Sequence, residues 1–537
     1  MMVAADSYEA SRAGLEILRA GGNAFDAAAA VSFALAVTRP ESTGLGGGGF
    51  MIGYVAHDRS WVVSDFRETA PAAATPDMYL GGGAGPDDLP ASEIGWRAVA
   101  TAGLVAGRID ALRRYGTLDL QAVMAPATRL AREGFAVDRY YVSAVKEVAE
   151  KYRKHPDLKE ACGYVWRVHL RAGDLPQVGD RLVQPELARL LERIASEGAA
   201  GFYDGPVAAA IEAQMQAHGG LLTRRDLAEY RVRVRQPLRA TYRGYELILM
   251  PPPSSGGICI AETLNILEGF DLHGLLASDR PQALHLLIEA LKHAFADRAR
   301  WLGDEDFGPV PLKLLSSKTY AQELRRRIVP EHVAEPDSYG ARQLPDDGGT
   351  SHFCVVDRWG NCVVSTETIN TEFGSLTAID EWGLMLNSEM DDFTTVPGAQ
   401  NTFGLIQSDR NRVAAHKRPL SSMAPTIVLK NGEPVLLIGA SGGPRIISSV
   451  LNVMLAVLDG DAPLVDAVAG PRVHHQWRPD EVNFDAKPAE QIAAGLQSRG
   501  QHLSPKYRTG DVQAIQIHAG RMVGVCDPRK GGRPAGE

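Results

Sequence analysis

Two glycines and a hydroxyl residue, placed where a long loop turns into a strand, set the tightest constraint on this chain. Gly348-Gly349-Thr350-Ser351-His352 follows the loop-like stretch 335–347, which holds Pro336, Gly340 and Pro345-Asp346-Asp347. It runs at once into the strand-like Phe353-Cys354-Val355-Val356. The glycines free the backbone and the strand begins on the threonine, so the chain must enter a sheet there. A threonine so placed becomes a new N-terminus if the Gly349–Thr350 bond is cut. An N-terminal threonine carries its own base, because its hydroxyl attacks while its α-amine takes the proton. An α-amine titrates near about 7.7–8.0, which suits a general base. Gly-Gly-Thr is also an ordinary turn, so the rest of the chain has to decide.

Helix signals open the sequence. Asp6 or Ser7 can cap a first helix ending at Gly21-Gly22, and Asn23 can cap a second, 24 to about 37, stopped before Pro40. The second helix is alanine-rich, so another element can pack very close to it. Gly44-Leu45-Gly46-Gly47-Gly48-Gly49 follows, then two strands, 50–56 and 61–66, around the turn 57–60. The stretch 118–211 reads as mainly helical. The 251–257 segment, Pro251-Pro252-Pro253-Ser254-Ser255-Gly256-Gly257, reads as a rigid turn into another helix. Leu284, Leu287, Ile288, Leu291 and Phe295 mark an amphipathic helix with one apolar face. After Thr350 hairpins dominate: 353–357 with 362–368, 426–430 with 435–439 around Asn431-Gly432, and 514–518 with 522–526. Helices alternate with these, which predicts an α+β fold of antiparallel sheet covered by helices.

Length and charge exclude several classes. At 537 residues the chain exceeds the roughly 150 expected of one domain. A net charge of −9 argues against a nucleic-acid partner, which calls for a basic face. The five cysteines show no metal spacing and read as free thiols. No run of eighteen apolar residues predicts a membrane span, and Met1-Met2-Val3-Ala4-Ala5 leads straight into a helix pattern without a signal peptide. The expectation is a protein that stays inside the cell, or one with a missing upstream segment.

Several constellations carry chemistry. Gly44 to Gly49 satisfies G-x-G-x-x-G, but a helix precedes it and a strand follows, the reverse of a dinucleotide site. The glycines instead imply a close backbone approach. Gly439-Ala440-Ser441-Gly442-Gly443 has the form of a nucleophile elbow, with Asp466 and His474 following in the order of a serine hydrolase triad. Alternatively, Gly442 and Gly443 present N–H groups to an anion, as an oxyanion hole does. Arg67, in Asp65-Phe66-Arg67-Glu68, can grip a carboxylate through two parallel bonds, helped by the hydroxyls of Ser421 and Ser422. The cluster Asn387-Ser388-Glu389-Met390-Asp391-Asp392-Phe393 lacks the spacing of a hard-metal loop but suits an ammonium. Together these describe a site for an amino-acid head group. His474-His475 reads as a packed pair rather than a zinc site.

Taken together, these residues resemble the γ-glutamyltranspeptidase (glutathione hydrolase) family of the N-terminal-nucleophile superfamily. The resemblance runs from Gly21-Gly22-Asn23-Ala24-Phe25-Asp26-Ala27 to Cys526-Asp527-Pro528-Arg529 and includes Asp297-Arg298, Leu302-Gly303-Asp304, Met390-Asp391-Asp392-Phe393 and the segment from Arg418 to Ser422. It implies a four-layer αββα sandwich and a precursor that cuts itself before Thr350. The products would be a large subunit 1–349 and a small one 350–537, held as a heterodimer around one shared core. Thr350 would be the nucleophile, Thr368 would support its hydroxyl, and Gly442 and Gly443 would form the oxyanion hole. Arg67, Ser421 and Ser422 would hold the glutamyl α-carboxylate; Asn370, Glu389 and Asp392 would hold its α-amine. The implied substrates are glutathione and other γ-glutamyl compounds, with water, amino acids or dipeptides as acceptors and neither metal nor organic cofactor. Family members are often exported. Phe403 stands in the segment 397–404 that aligns with the family's lid, where many bacterial members have a tyrosine. The alternatives are another amide hydrolase on this scaffold, a serine hydrolase using Ser441, and an uncut relic that only binds amino acids.

Overall fold

The computed structural model describes residues 1–80, 89–335, 338–339, 350–396 and 408–537. Gly348-Gly349 and the lid segment with Phe403 lie outside the described residues. The first helix, Tyr8–Arg19, is capped by Ser7, whose Oγ accepts from Ala10 N at 3.2 Å. Asn23 and Asp26 form a reciprocal capping box on the second, Ala24–Thr38. Every residue of that helix is buried, as expected of a helix apolar on all sides. The hairpin turn Asn431-Gly432 has φ of +55° and +80°, the left-handed pair that a two-residue turn needs.

Two antiparallel sheets dominate. The seven-stranded sheet runs Ala535–Gly536, Met2–Ala5, Ser351–Val356, Cys362–Thr368, Gly48–Val55, Ser60–Phe66, Arg233–Val234. The six-stranded sheet runs Arg521–Cys526, Asp511–His518, Glu433–Ser441, Thr426–Lys430, Tyr245–Leu249, Leu238–Tyr242. Both therefore take strands from each side of residue 350. Period-two alternation sorts the side chains. Phe353, Val355, Val363 and Met51 join the core beneath the first two helices. Cys354, Val356, Cys362, Val364, Phe50 and Ile52 face the other sheet, against Leu247, Leu249 and Leu437. Helices Gly256–Leu267, Arg280–Trp301 and Arg445–Leu458 contribute to that second core and complete an αββα sandwich.

One expectation needs correcting. Arg280–Trp301 does not present one apolar face: it is buried without a break from His285 to Arg298. Its internal charges are paired instead, with Lys292 Nζ 3.1 Å from Glu289 and Asp297 accepting from Tyr320 OH at 2.6 Å. The two main sheets are antiparallel throughout, as expected, and a small third sheet adds one parallel pair, Val482–Phe484 with Leu503–Tyr507. All five cysteines are buried free thiols. Among the described residues no helix is long and apolar enough to cross a membrane.

The glycine run behaves as the sequence implies. A Cβ on Gly46 would stand 2.1 Å from Met385 O, and one on Gly47 2.0 Å from Thr368 O. Neither oxygen can swing aside, because each is backbone. Gly47→Ala is therefore expected to lower the thermal unfolding midpoint, with an overpacking cost of at least about 1–3 kcal/mol. Gly308→Ala, at a site with nothing within 4 Å, is the control and should leave the midpoint unchanged. Equal midpoints for the two variants would contradict the close approach.

Candidate active site

Thr350 is buried and immediately precedes the strand Ser351–Val356. That strand pairs Ser351 with Glu367, so Thr350 and Thr368 occupy the next cross-strand position. Both continue the alternation that faces the slot between the two sheets. His352, two residues on, is not a base for Thr350. Its ring is buried, shares hydrogen bonds with Thr366 Oγ1 at 2.8 Å and Cys354 Sγ at 3.4 Å, and burial pulls its pKa down to about 3.

The carbonyl oxygen of Thr350 accepts a hydrogen bond from Lys530 Nζ. The same ammonium donates to Ser441 Oγ at 2.9 Å and pairs with Asp6 at 2.8 Å. Burial alone would pull the Lys530 pKa down, but Asp6, Tyr140 and Asp511 hold it above the ordinary lysine range, so it stays charged. Ser441 ends the strand Glu433–Ser441, and Gly442 and Gly443 turn the chain into the helix Arg445–Leu458 with φ of +117° and +55°. Among the described residues the N–H groups of these glycines donate to no protein acceptor.

Ser441 does not make a serine triad. Both ring nitrogens of His474 are engaged elsewhere, by Ser448 Oγ at 2.8 Å and Gln476 Oε1 at 2.9 Å, and burial pulls its pKa down to about 3. Asp466 is exposed, and the strand before Ser441 lies in an antiparallel sheet. His475 is likewise buried; its Nδ1 accepts from Trp477 N and its Nε2 faces Asp480 at 3.3 Å.

The second part of the site is stitched to the threonine strand. Thr368 Oγ1 accepts from Asn370 N at 2.8 Å, Asn370 has φ of +80°, and its Nδ2 donates to Ser388 O at 2.8 Å. Ser388 immediately precedes the carboxylate turn Glu389–Asp392. Asn387 pins this turn to the glycine run by donating to Gly46 O at 2.7 Å. Asp391 turns away and accepts from Ser92 Oγ at 2.6 Å, whereas Glu389 and Asp392 converge on Arg67.

Arg67 is fully buried. Its Nη1 lies 2.5 Å from Glu389 Oε2 and 3.4 Å from Glu68 Oε2, its Nη2 donates to Asp392 Oδ2, and its Nε donates to Pro419 O at 3.3 Å. Three carboxylates thus share one guanidinium in a dry environment. Burial is the main cause that pushes Glu68 up to about 7, Glu389 well above the carboxylate range and Asp392 upward, with Arg67 opposing in each case. A cluster whose carboxylates are pushed toward holding protons is short of cations. Pro419 leads to Ser421 and Ser422. Ser421 O accepts from Ser255 N and Ser255 Oγ, both at 2.7 Å, and Ser422 Oγ faces Arg298 Nη2 at 3.5 Å. Arg418 pairs with Asp65 at 3.2 Å and serves the scaffold.

The structure thus brings Thr350, Thr368 and Ser441 together through Lys530 and the strand register, and ties Asn370, Glu389, Asp392 and Arg67 to them. Sequence reasoning assigned no role to Glu68, Arg298 or Lys530. A charged pair, Asp297-Arg298, near the end of an apolar helix was a signal for one of them; nothing in the spacing marked Lys530.

Comparison with known proteins places this geometry. The family model described as gamma-glutamyltranspeptidase matches residues 10–537. The chain is 41% identical over 534 residues to the glutathione hydrolase proenzyme of Escherichia coli (strain K12), covering 98% of this chain and 90% of that protein. Cephalosporin acylase from Bacillus halodurans superposes with a TM-score of 0.87 at 28% identity, covering 99% of this chain and 95% of that one. Helicobacter pylori gamma-glutamyltranspeptidase matches with a TM-score of 0.56 at 39% identity, over 62% of this chain and 93% of that chain.

The carboxylate cluster has a pH signature. Removing its cation leaves buried carboxylates unpaired, which typically costs about 3–5 kcal/mol. Glu68 and Glu389 have folded-state pKa values raised above the unfolded ones. Each therefore withdraws stability as pH rises from the ordinary carboxylate range toward its raised value, and loss of Arg67 enlarges that withdrawal. Arg67→Ala is expected to lower the thermal midpoint more at pH 8 than at pH 5. A deficit equal at both pH values would show that Arg67 does not hold these carboxylates.

Proposed function

Because the chain belongs to the gamma-glutamyltranspeptidase family, we propose that Thr350 is the nucleophile with which it cleaves the γ-glutamyl amide bond of glutathione and related compounds. The protein is a γ-glutamyl hydrolase and transferase that matures by autocatalytic cleavage. In our reading the cut falls before Thr350 and yields fragments 1–349 and 350–537. Both main sheets interleave strands from the two sides of residue 350, so the fragments stay together as a heterodimer.

The observation that carries this reading is the position of Thr350. It begins a central strand opposite Thr368, and Lys530 joins its carbonyl to Ser441, next to the unused N–H groups of Gly442 and Gly443. Once freed, the α-amine takes the proton as Oγ1 attacks the γ-carbonyl. The Gly442 and Gly443 N–H groups stabilise the oxyanion, and such donors act strongly because they are fixed before charge develops. The amine leaves, and water or an amino acid or dipeptide amine resolves the acyl-enzyme. Arg67, Ser421 and Ser422 take the α-carboxylate; Asn370, Glu389 and Asp392 take the α-ammonium. Arg67 then exchanges part of its contact with Asp392 for substrate, while the ammonium replaces it as Asp392's partner.

Purified protein is expected to run as two fragments, the smaller starting at Thr350, while Thr350→Ala stays a single inactive chain. Normal processing and activity in Thr350→Ala would transfer the nucleophile's role elsewhere.

The acylase reading has one observation in its favour, the fold-wide similarity to cephalosporin acylase. The site argues for γ-glutamyl substrates. A glutaryl amide lacks the ammonium and leaves Asp392 without its new partner. Sites built to pair a polar group reject analogues that lack it by up to roughly 10⁴-fold. The expected outcome is a higher kcat/KM on a γ-glutamyl anilide than on a glutaryl anilide, a preference reduced in Asp392→Asn. Equal values in the unmutated enzyme favour the acylase.

A further inference from the structure

A second arginine borders the head-group site, and no carboxylate of the described residues is in contact with it. Arg298 lies in the last turn of the helix Arg280–Trp301, with its side chain 1% exposed. Its Nε donates to Ser255 Oγ at 2.9 Å and its Nη2 reaches Ser422 Oγ at 3.5 Å. Nη1 has no hydrogen-bond partner among the described residues. No carboxylate oxygen of the described residues lies within ion-pair distance, and Asp297 beside it is turned to Tyr320. Burial pulls the Arg298 pKa down to about 10, so the group is still charged at neutral pH.

The contrast with Arg67 is informative. Arg67 is surrounded by three carboxylates of its own chain, so its charge is already compensated. Arg298 is as deeply buried, but no carboxylate touches it, and only the charge of nearby Asp392 acts on it from a distance. A buried guanidinium with an unused donor and no carboxylate in contact is costly to keep unless an anion completes it. The nearest hydroxyl to that guanidinium besides Ser255 belongs to Ser422, on the loop that also contacts Arg67 through Pro419 O.

We propose that Arg298 is a specificity-determining residue that, with Ser422, forms the cationic wall of the subsite for the substrate's α-carboxylate. Its Nη2 orients the Ser422 hydroxyl, its Nη1–H is available to the carboxylate, and its charge supplies the counter-ion that Arg67, shared with Glu389 and Asp392, offers only in part. This assignment rests on the γ-glutamyl reading above.

The test uses two substrates that differ only in that carboxylate, a γ-glutamyl anilide and a γ-aminobutyryl anilide, with the matured two-fragment enzyme. In Arg298→Met the ratio of their kcat/KM values is expected to fall by roughly 30-fold or more, as when a charged partner is removed from a buried pair. The loss should appear chiefly in KM of the γ-glutamyl substrate, because carboxylate binding is shared by ground and transition states. If Arg298→Met fails to mature, Arg298→Lys carries the test. It keeps the charge but loses the fork, and its ratio is expected to fall below that of the unmutated enzyme. Equal losses on both substrates, or an unchanged ratio in a matured variant, would assign Arg298 to the scaffold and overturn the proposal. Failure of the underlying reading is seen separately, as equal turnover of γ-glutamyl and glutaryl anilides by the unmutated enzyme.

Discussion

One buried ammonium joins parts of the chain that are hundreds of residues apart. Lys530 Nζ holds Asp6 at the end of the first strand, the carbonyl of Thr350 at the start of a central strand, and Ser441 on the facing sheet. Asp6 in turn accepts from His352 N at 3.3 Å. A buried ion pair adds little net stability over a well-packed apolar substitute, but breaking one costs several kcal/mol. Its effect here is to fix register. Thr350, the Ser441–Gly443 turn and the segments holding Asp6 and Lys530 can be satisfied only in one mutual arrangement. At Gly439 the facing strand passes so close to His352 that a Cβ there would meet the imidazole ring at 2.2 Å, which sets the depth of the slot.

The rest of the site follows from how charge is shared in a dry place. Asp65, Arg67, Glu68, Arg298, Glu389 and Asp392 are all buried and largely cut off from solvation by water. Glu68, Glu389 and Asp392 therefore gather on Arg67, where burial raises their pKa values, while Arg298 contacts two serines. That separation produces a carboxylate-rich half around Arg67 and a guanidinium-and-hydroxyl half around Arg298. The second buried network, Arg108 with Glu367 at 2.8 Å and Ser365 and Ser32 as further partners, holds the base of the threonine hairpin to its covering helices.

Much of this could be read from residues alone because the signals are local. Caps at Ser7 and Asn23, the Asn431-Gly432 turn and the alternation of the strands after Thr350 each depend on a few neighbours, and each matches the structure. The glycine run was legible for a different reason: four glycines in succession between a helix and a strand exclude a phosphate loop and leave close backbone approach. What misled was also local. Ser441 has the neighbours of a nucleophile elbow, but its base is absent because His474 is held by Ser448 and Gln476. The apolar spacing around Leu284 and Phe295 suggested one buried face, whereas packing on the other sides buries Glu289, Lys292 and Arg298 as well.

The sequence by itself determined most of the elements, the strand that follows Thr350, the family, and the kinds of side chain available to the site. These depend on short-range sterics, hydrogen-bonding capacity and period, which a linear chain displays directly. Only the tertiary structure decided the pairing. Which carboxylates Arg67 binds, that Asp391 leaves the cluster for Ser92, that Lys530 reaches Thr350, and that Arg298 keeps an unpartnered Nη1 with no carboxylate in contact all depend on contacts between distant segments. The partner of a buried charge is chosen by which groups the fold seals away from water together, and that is a property of the assembled sheets and helices.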